Sequence, residues 1–171
     1  ENYLDEMTAK HAEFTAAGES FEWHYIGRLQ SRKIREICSL ADYVHTVSRA
    51  KELAEFARHQ QQGRPRFFFQ VNVSSEDQKN GCLPSELPAL LEECARLGLE
   101  SSVVGLMTLP SDLEDVGEAK LRGEFSQLRS LRDRLLPGKW LSMGMSGDFE
   151  IAIEEGADWV RIGSALFGQR L

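Results

Sequence analysis

The chain has 171 residues, 42% of them hydrophobic and 27% charged, which is ordinary for one globular domain with a sizeable core. Its formal net charge of −7 argues against nonspecific binding to nucleic acid, which requires a basic surface. No apolar run approaches the length of a membrane span, and the three cysteines have no metal-ligand spacing. We therefore expect a cytoplasmic monomer with one domain over residues 1–171, without a metal site or a membrane partner.

Short apolar segments alternate with longer amphipathic segments along the chain. They predict strands at residues 21–27, 43–47, 66–73, 102–108, 140–145 and 158–162. This alternation favours an α/β fold with a parallel sheet and right-handed crossovers. An open doubly wound sheet and a (β/α)8 barrel both fit the pattern, although six strands are too few to close the barrel.

Three of the intervening helices have recognisable boundaries. Ser48 is predicted to cap a helix over residues 49–61, and Ser146 a helix over residues 148–155. Leucines and a phenylalanine at helical spacing predict a helix over residues 121–135, which Pro137 and the glycine after it would end.

The end of the last predicted strand carries Arg161, Gly163 and Ser164, followed by residues that can begin a short helix. Glycine lets backbone N–H groups approach an oxyanion, the serine hydroxyl adds a donor, and a helix N-terminus contributes partial positive charge. The arrangement is typical of the phosphate site of a parallel barrel. Taken alone, the segment also fits a plain turn in which glycine is required at position 163 only for its backbone angles.

The preceding strand strengthens the phosphate interpretation. Ser142 lies in mid-strand, where alternation directs its side chain inward beside Gly144, and Ser146 follows the strand as a helix cap or a ligand group. Elsewhere, His24 has no nucleophile or carboxylate at a diagnostic spacing, so we interpret it as structural.

Five segments, in order and spanning nearly the whole chain, resemble the motifs of one family. They are residues 23–33 with the motif (W)HFIGxLQxNK, 71–81 with VNxSxExxKxG, 105–110 with GLMTxP, 141–148 with LSMGMSxD and 160–164 with VRIG(S/T). The family is that of the YggS/PROSC-type pyridoxal phosphate homeostasis proteins. The resemblance implies a (β/α)8 barrel of the TIM type, similar to the N-terminal domain of alanine racemase, that binds pyridoxal 5′-phosphate (PLP).

The resemblance also assigns contacts with PLP to seven residues, namely Asn2, Met107, Ser142, Ser146, Arg161, Gly163 and Ser164. It places the phosphate at Gly163, Ser164 and Ser142. It places the pyridine nitrogen at Arg161, the ring beside Asn2, and Met107 in the pocket wall. A guanidinium cannot accept a proton, so Arg161 would keep the pyridine nitrogen unprotonated and the ring a weak electron sink.

In the family, the lysine that links the cofactor lies on the first strand. Glu1 of this chain matches a position that follows that strand. We therefore expect the first one to two strands to be missing from this chain, and no catalytic residue within it. Among the lysines present, only Lys79 follows a predicted strand end closely.

The expected function is that of a PLP carrier or buffer in intracellular vitamin B6 homeostasis, without robust catalysis. Apo-enzymes that use PLP are its candidate partners. Two alternatives stay open from the sequence, namely a racemase-like PLP enzyme acting on amino acids and a barrel enzyme acting on another phosphorylated substrate.

Overall fold

The computed structural model describes residues 1–74, 76 and 78–168. The strands are β1 His24–Tyr25, β2 Tyr43–Val47, β3 Arg66–Gln70, β4 Val103–Met107, β5 Trp140–Met145 and β6 Trp159–Arg161. The helices are α1 Leu4–Ala16, α2 Ser31–Leu40, α3 Ala50–His59, α4 Leu87–Arg96, α5 Leu113–Val116, α6 Glu118–Leu135, α7 Phe149–Glu154 and α8 Ser164–Phe167. The strands follow chain order in a six-stranded sheet, which confirms the predicted α/β class.

All six predicted strands are present, but the first is much shorter than residues 21–27. The backbone N–H of Trp23 donates to the Asp42 carboxylate at 2.9 Å, and the N–H of Ile26 donates to the Glu1 carbonyl at 2.9 Å. Because these backbone groups are satisfied outside the ladder, only His24 and Tyr25 pair as a strand.

The chain divides into two compact units, of which the first comprises residues 1–69 and 87–104. Within it, β1 pairs with β2 and β2 with β3, all in parallel. Phe67 is fully buried and stacks on Phe56 of α3, with ring centroids 5.4 Å apart. Burying one phenylalanine contributes about 1.5–3 kcal/mol, so this aromatic layer fixes α3 on the strands.

The opposite face of the same strands is more polar. His24 Nδ1 lies 2.9 Å from His45 Nε2, and the His24 ring stacks on Tyr43 at 4.8 Å between centroids. His45 is buried and stacks on Phe68. A hydrogen bond between two imidazoles requires that one nitrogen accept, so the pair is compatible with at most one added proton.

The second compact unit comprises residues 70–86 and 105–171. Its strands β4, β5 and β6 also pair in parallel. As predicted, α6 carries its apolar residues at helical spacing, and Leu121, Phe125 and Leu128 are fully buried. No helix in the described part of the chain has the length and apolar character needed to cross a lipid bilayer.

The two predicted serine caps are wrong. Helix α3 begins after Arg49, and the Glu52 carboxylate accepts from the backbone N–H groups of Ser48 and Arg49, at 2.8 and 3.1 Å. Helix α7 begins after Asp148, not after Ser146. At α3 the bonds to Glu52 are charge-assisted, whereas no side chain caps α7.

Replacing Gly105 with alanine is expected to destabilise the protein by about 1–3 kcal/mol. A Cβ there would lie 1.8 Å from the backbone oxygen of Trp140, its partner on β5. The matched control is Gly123→Ala on α6, where a Cβ would meet no atom within 4 Å. That change is expected to stabilise the protein by about 0.5–1 kcal/mol, because alanine is the better helix former. Urea unfolding measures both, and changes of the same sign would contradict the assigned packing.

Burial lowers the pKa of His24 from its ordinary value, although Glu22 and Asp42 partly oppose the shift. The unfolded chain therefore binds a proton at His24 at a higher pH than the folded chain does. The free energy of unfolding is expected to fall as the pH drops below about 6.5, and this loss should stop below the folded-state pKa. Urea midpoints at several pH values measure the slope, which His24→Gln should reduce. A slope that His24→Gln leaves unchanged would refute the assignment.

Candidate functional site

The turn that follows β6 presents two backbone donors to one oxygen. The N–H groups of Gly163 and Ala165 donate to the Ser146 hydroxyl oxygen at 3.2 and 3.3 Å. A Cβ built on Gly163 would meet no atom within 4 Å, so the space beside the turn is open. Ser164 is exposed and begins the short helix α8. The turn thus has the donors that an anion requires, with an oxygen already in the accepting position.

Ser146 lies in a loop after β5 that the neighbouring Asp148 carboxylate closes, and neither side chain caps α7. Asp148 Oδ1 accepts from the backbone N–H of Met145 at 2.5 Å, which closes the loop after β5. The Ser146 hydroxyl is therefore available to Gly163 and Ala165. Ser146 therefore does not act as the predicted helix cap, and its predicted contact with a ligand stays a prediction.

Arg161 ends β6 and turns its guanidinium toward the ends of the two preceding strands. Nη1 donates to the Ser142 hydroxyl at 2.9 Å, and Nη2 donates to the Thr108 carbonyl at 2.8 Å. Burial lowers the pKa of Arg161 to about 10, and the nearby Asp148 carboxylate acts in the opposite direction. The other N–H groups of Arg161 have no acceptor in the part of the chain that the structure describes. A half-buried cation with unused donors is suited to a ligand acceptor.

Two fully buried residues tie the ends of these strands together. The Thr108 backbone N–H donates to the Ser142 carbonyl at 3.2 Å, and the Thr108 hydroxyl donates to the Val71 carbonyl at 2.8 Å. Thr108 and Ser142 are both 0% exposed. Thr108 was not singled out from the sequence, although it stands in the GLMTxP segment. Its contribution is a backbone carbonyl, which residue identity does not reveal.

A bulge on β5 sets the spacing between Ser142 and the residues after it. Ser142 pairs with Trp159 and Met145 pairs with Arg161, so β5 uses one residue more than β6 between these pairs. Gly144 adopts a φ of 96°, and a Cβ there would lie 2.6 Å from the Cβ of Ala152. Glycine is required here for both conformation and space, and bulges of this kind redirect side chains at binding sites.

Met107 and Asn2 are the remaining residues of the predicted site. Met107 is fully buried on β4, where its carbonyl accepts from the Val71 N–H at 2.8 Å. Asn2 belongs to the first compact unit, and its carbonyl oxygen would lie 1.9 Å from a Cβ on Gly27. The PLP contacts assigned to both residues remain predictions.

Lys79 is held away from solvent by neighbouring oxygens. Its ammonium donates to the Pro110 carbonyl at 2.7 Å and lies 2.9 Å from the Glu76 carboxylate. Ser111 lies beside this pair, with its hydroxyl 2.9 Å from Glu76 and 2.7 Å from the buried Glu124 carboxylate. These contacts give Lys79 a structural role in its loop.

Comparison with protein families and curated proteins gives consistent matches. The family of the alanine racemase N-terminal domain matches residues 2–171. A pyridoxal phosphate homeostasis protein of Pseudomonas aeruginosa is 43% identical over 173 residues, covering 99% of this chain and 73% of the relative. One from Aquifex aeolicus is 40% identical over 158 residues, covering 87% of this chain and 67% of the relative.

Solved structures agree with the sequence matches. PipY of Synechococcus elongatus PCC7942, solved with PLP bound, superposes with a TM-score of 0.82 at 30% identity, covering 98% of this chain and 79% of that one. Alanine racemase of Corynebacterium glutamicum superposes with a TM-score of 0.70 at 15% identity, covering 99% of this chain and 47% of that one. The second similarity concerns the fold alone.

Proposed function

The chain belongs to the alanine racemase N-terminal domain family and, within it, to the pyridoxal phosphate homeostasis proteins, and on that basis we propose that it binds PLP as a carrier or buffer. The relatives from Pseudomonas and Aquifex carry that name, and PipY has been solved with PLP bound. The proposal covers a single binding domain over residues 1–171, supported by the family match to residues 2–171.

The observation that carries the proposal is the pairing of Arg161 with the turn at Gly163. The half-buried Arg161 keeps unused N–H donors, and two residues later the N–H groups of Gly163 and Ala165 converge on one oxygen. A ligand that fits both features has a hydrogen-bond acceptor at one end and an anion at the other. PLP has a pyridine nitrogen and a phosphate in that relation.

In this proposal the phosphate binds at the turn after β6. The N–H groups of Gly163 and Ala165 would donate to phosphate oxygens, and the hydroxyls of Ser146 and Ser164 would add donors. The proposed set of PLP contacts also includes Asn2, beside the ring, and Met107, in the pocket wall.

When bound, PLP supplies an aldehyde that reacts with amines and a pyridine ring that withdraws electrons. Arg161 can donate to the pyridine nitrogen but cannot protonate it, because the guanidinium stays charged at neutral pH. The residue therefore binds and orients the ring without turning it into a strong electron sink. This preference for holding PLP over demanding chemistry supports a carrier.

The proposed setting is the cytoplasm, with the chain acting as a monomer and apo-enzymes that use PLP as recipients. Its three cysteines support a reducing compartment, since Cys38, Cys82 and Cys94 are all free thiols. Burial raises the pKa of each thiol to about 12, so none is poised for nucleophilic chemistry.

PLP titration of the chain, followed by absorbance and fluorescence, is expected to saturate at one equivalent. Arg161→Gln should weaken binding by about tenfold or more, because a bond from a charged donor is lost. Arg161→Glu should also shift the absorption of bound PLP, since a carboxylate favours a protonated pyridine nitrogen. An unchanged spectrum in Arg161→Glu, with binding intact, would refute the assignment of the ring nitrogen.

The distinction between a carrier and an enzyme has its own measurement. The PLP-loaded chain incubated with L-alanine is expected to produce no D-alanine above the level of free PLP. Clear racemisation would replace the carrier proposal with the racemase-like alternative.

Ser146→Ala is expected to weaken PLP binding by about tenfold while leaving the affinity for pyridoxal unchanged. Pyridoxal lacks the phosphate, so a contact made only to phosphate oxygens does not affect it. Competition by inorganic phosphate should likewise weaken in Ser146→Ala. Equal losses for PLP and pyridoxal would move Ser146 away from the phosphate.

A further inference from the structure

The Ser142 hydroxyl oxygen is one of the two acceptors of the Arg161 guanidinium. Ser142 is 0% exposed in the middle of β5, and its hydroxyl oxygen accepts from Arg161 Nη1 at 2.9 Å. The oxygen that meets the N–H groups of Gly163 and Ala165 comes from Ser146 instead. The two serines of the β5 end thus serve different partners.

The contacts of Ser142 and Thr108 together determine how the guanidinium is oriented. A planar guanidinium held at both terminal nitrogens has a fixed plane, whereas one held at a single nitrogen can swing about that contact. Ser142 holds Nη1 and the Thr108 carbonyl holds Nη2. The backbone N–H of Thr108 also donates to the Ser142 carbonyl, so the two acceptors of the guanidinium lie on directly hydrogen-bonded segments.

We infer that Ser142 is a positioning residue that aims Arg161 at the pyridine nitrogen of PLP and acts on binding through the ring. This inference rests on the proposed function and differs from the phosphate contact that the sequence resemblance assigns to Ser142. Its chemical consequence is that Ser142 governs recognition of the ring, while Ser146 and the turn at Gly163 govern recognition of the phosphate.

Paired titrations with PLP and with pyridoxal distinguish the two roles. Ser142→Ala is expected to weaken both ligands by the same factor, about tenfold, because each ligand carries the pyridine nitrogen. Ser146→Ala provides the phosphate-specific comparison. Ser111→Ala removes another buried serine hydroxyl of the same unit, one bound to Glu124, and should leave both affinities unchanged.

A double-mutant cycle tests whether Ser142 acts through Arg161. In the Arg161→Gln background, Ser142→Ala should cause no further loss of affinity for either ligand. Without any ligand, the ¹⁵N NMR signals of the Arg161 guanidinium should sharpen or average in Ser142→Ala, reporting faster rotation. Ser142→Cys, which nearly preserves the volume of the side chain, should behave like Ser142→Ala and covers the case in which the alanine variant folds poorly.

Each outcome has a defined meaning. Equal losses for the two ligands, absent in the Arg161→Gln background, support the positioning role. A loss for PLP alone, or no loss for either ligand, overturns that role while leaving the proposed function intact. If the wild-type chain binds neither ligand, the proposed function fails and the role of Ser142 fails with it.

Discussion

The candidate site depends on how the second compact unit accommodates the guanidinium of Arg161. Removing a guanidinium from water is costly unless its N–H groups find acceptors. Ser142 and the Thr108 carbonyl supply two acceptors from two different strands, and Asp148 contributes a nearby negative charge. The position of the cation therefore depends on the relative register of β4, β5 and β6, and the rest of the site is arranged around it.

The anion end of the site is built differently, from backbone groups. The N–H groups of Gly163 and Ala165 donate to the hydroxyl oxygen of Ser146, at distances of 3.2 and 3.3 Å that are long for such bonds. A phosphate oxygen carries more negative charge than a hydroxyl and would form shorter, stronger bonds to the same donors. The two N–H groups of the turn are thus hydrogen-bonded within the protein, and a phosphate ligand would bind them more strongly than Ser146 does.

Several elements around the proposed site could be predicted from the sequence, because the information for them is local. Strand ends, the glycine turn after β6 and the spacing of apolar residues on α6 follow from short patterns, and the structure has them. Ser142, Ser146 and Thr108 illustrate what local patterns miss. Their partners depend on the bulge at Gly144 and on pairing between strands distant in sequence, which periodicity does not encode.

Six of the seven residues assigned to PLP by resemblance lie in the second compact unit, and only Asn2 lies in the first. The contacts proposed for the phosphate and for the ring nitrogen are therefore made by one contiguous set of strand ends on β5 and β6. Binding that relies on these polar contacts at the two ends of PLP requires no proton donor to the ring and no nucleophile. A site of that composition retains its ligand without activating it, which is the physical requirement for a carrier.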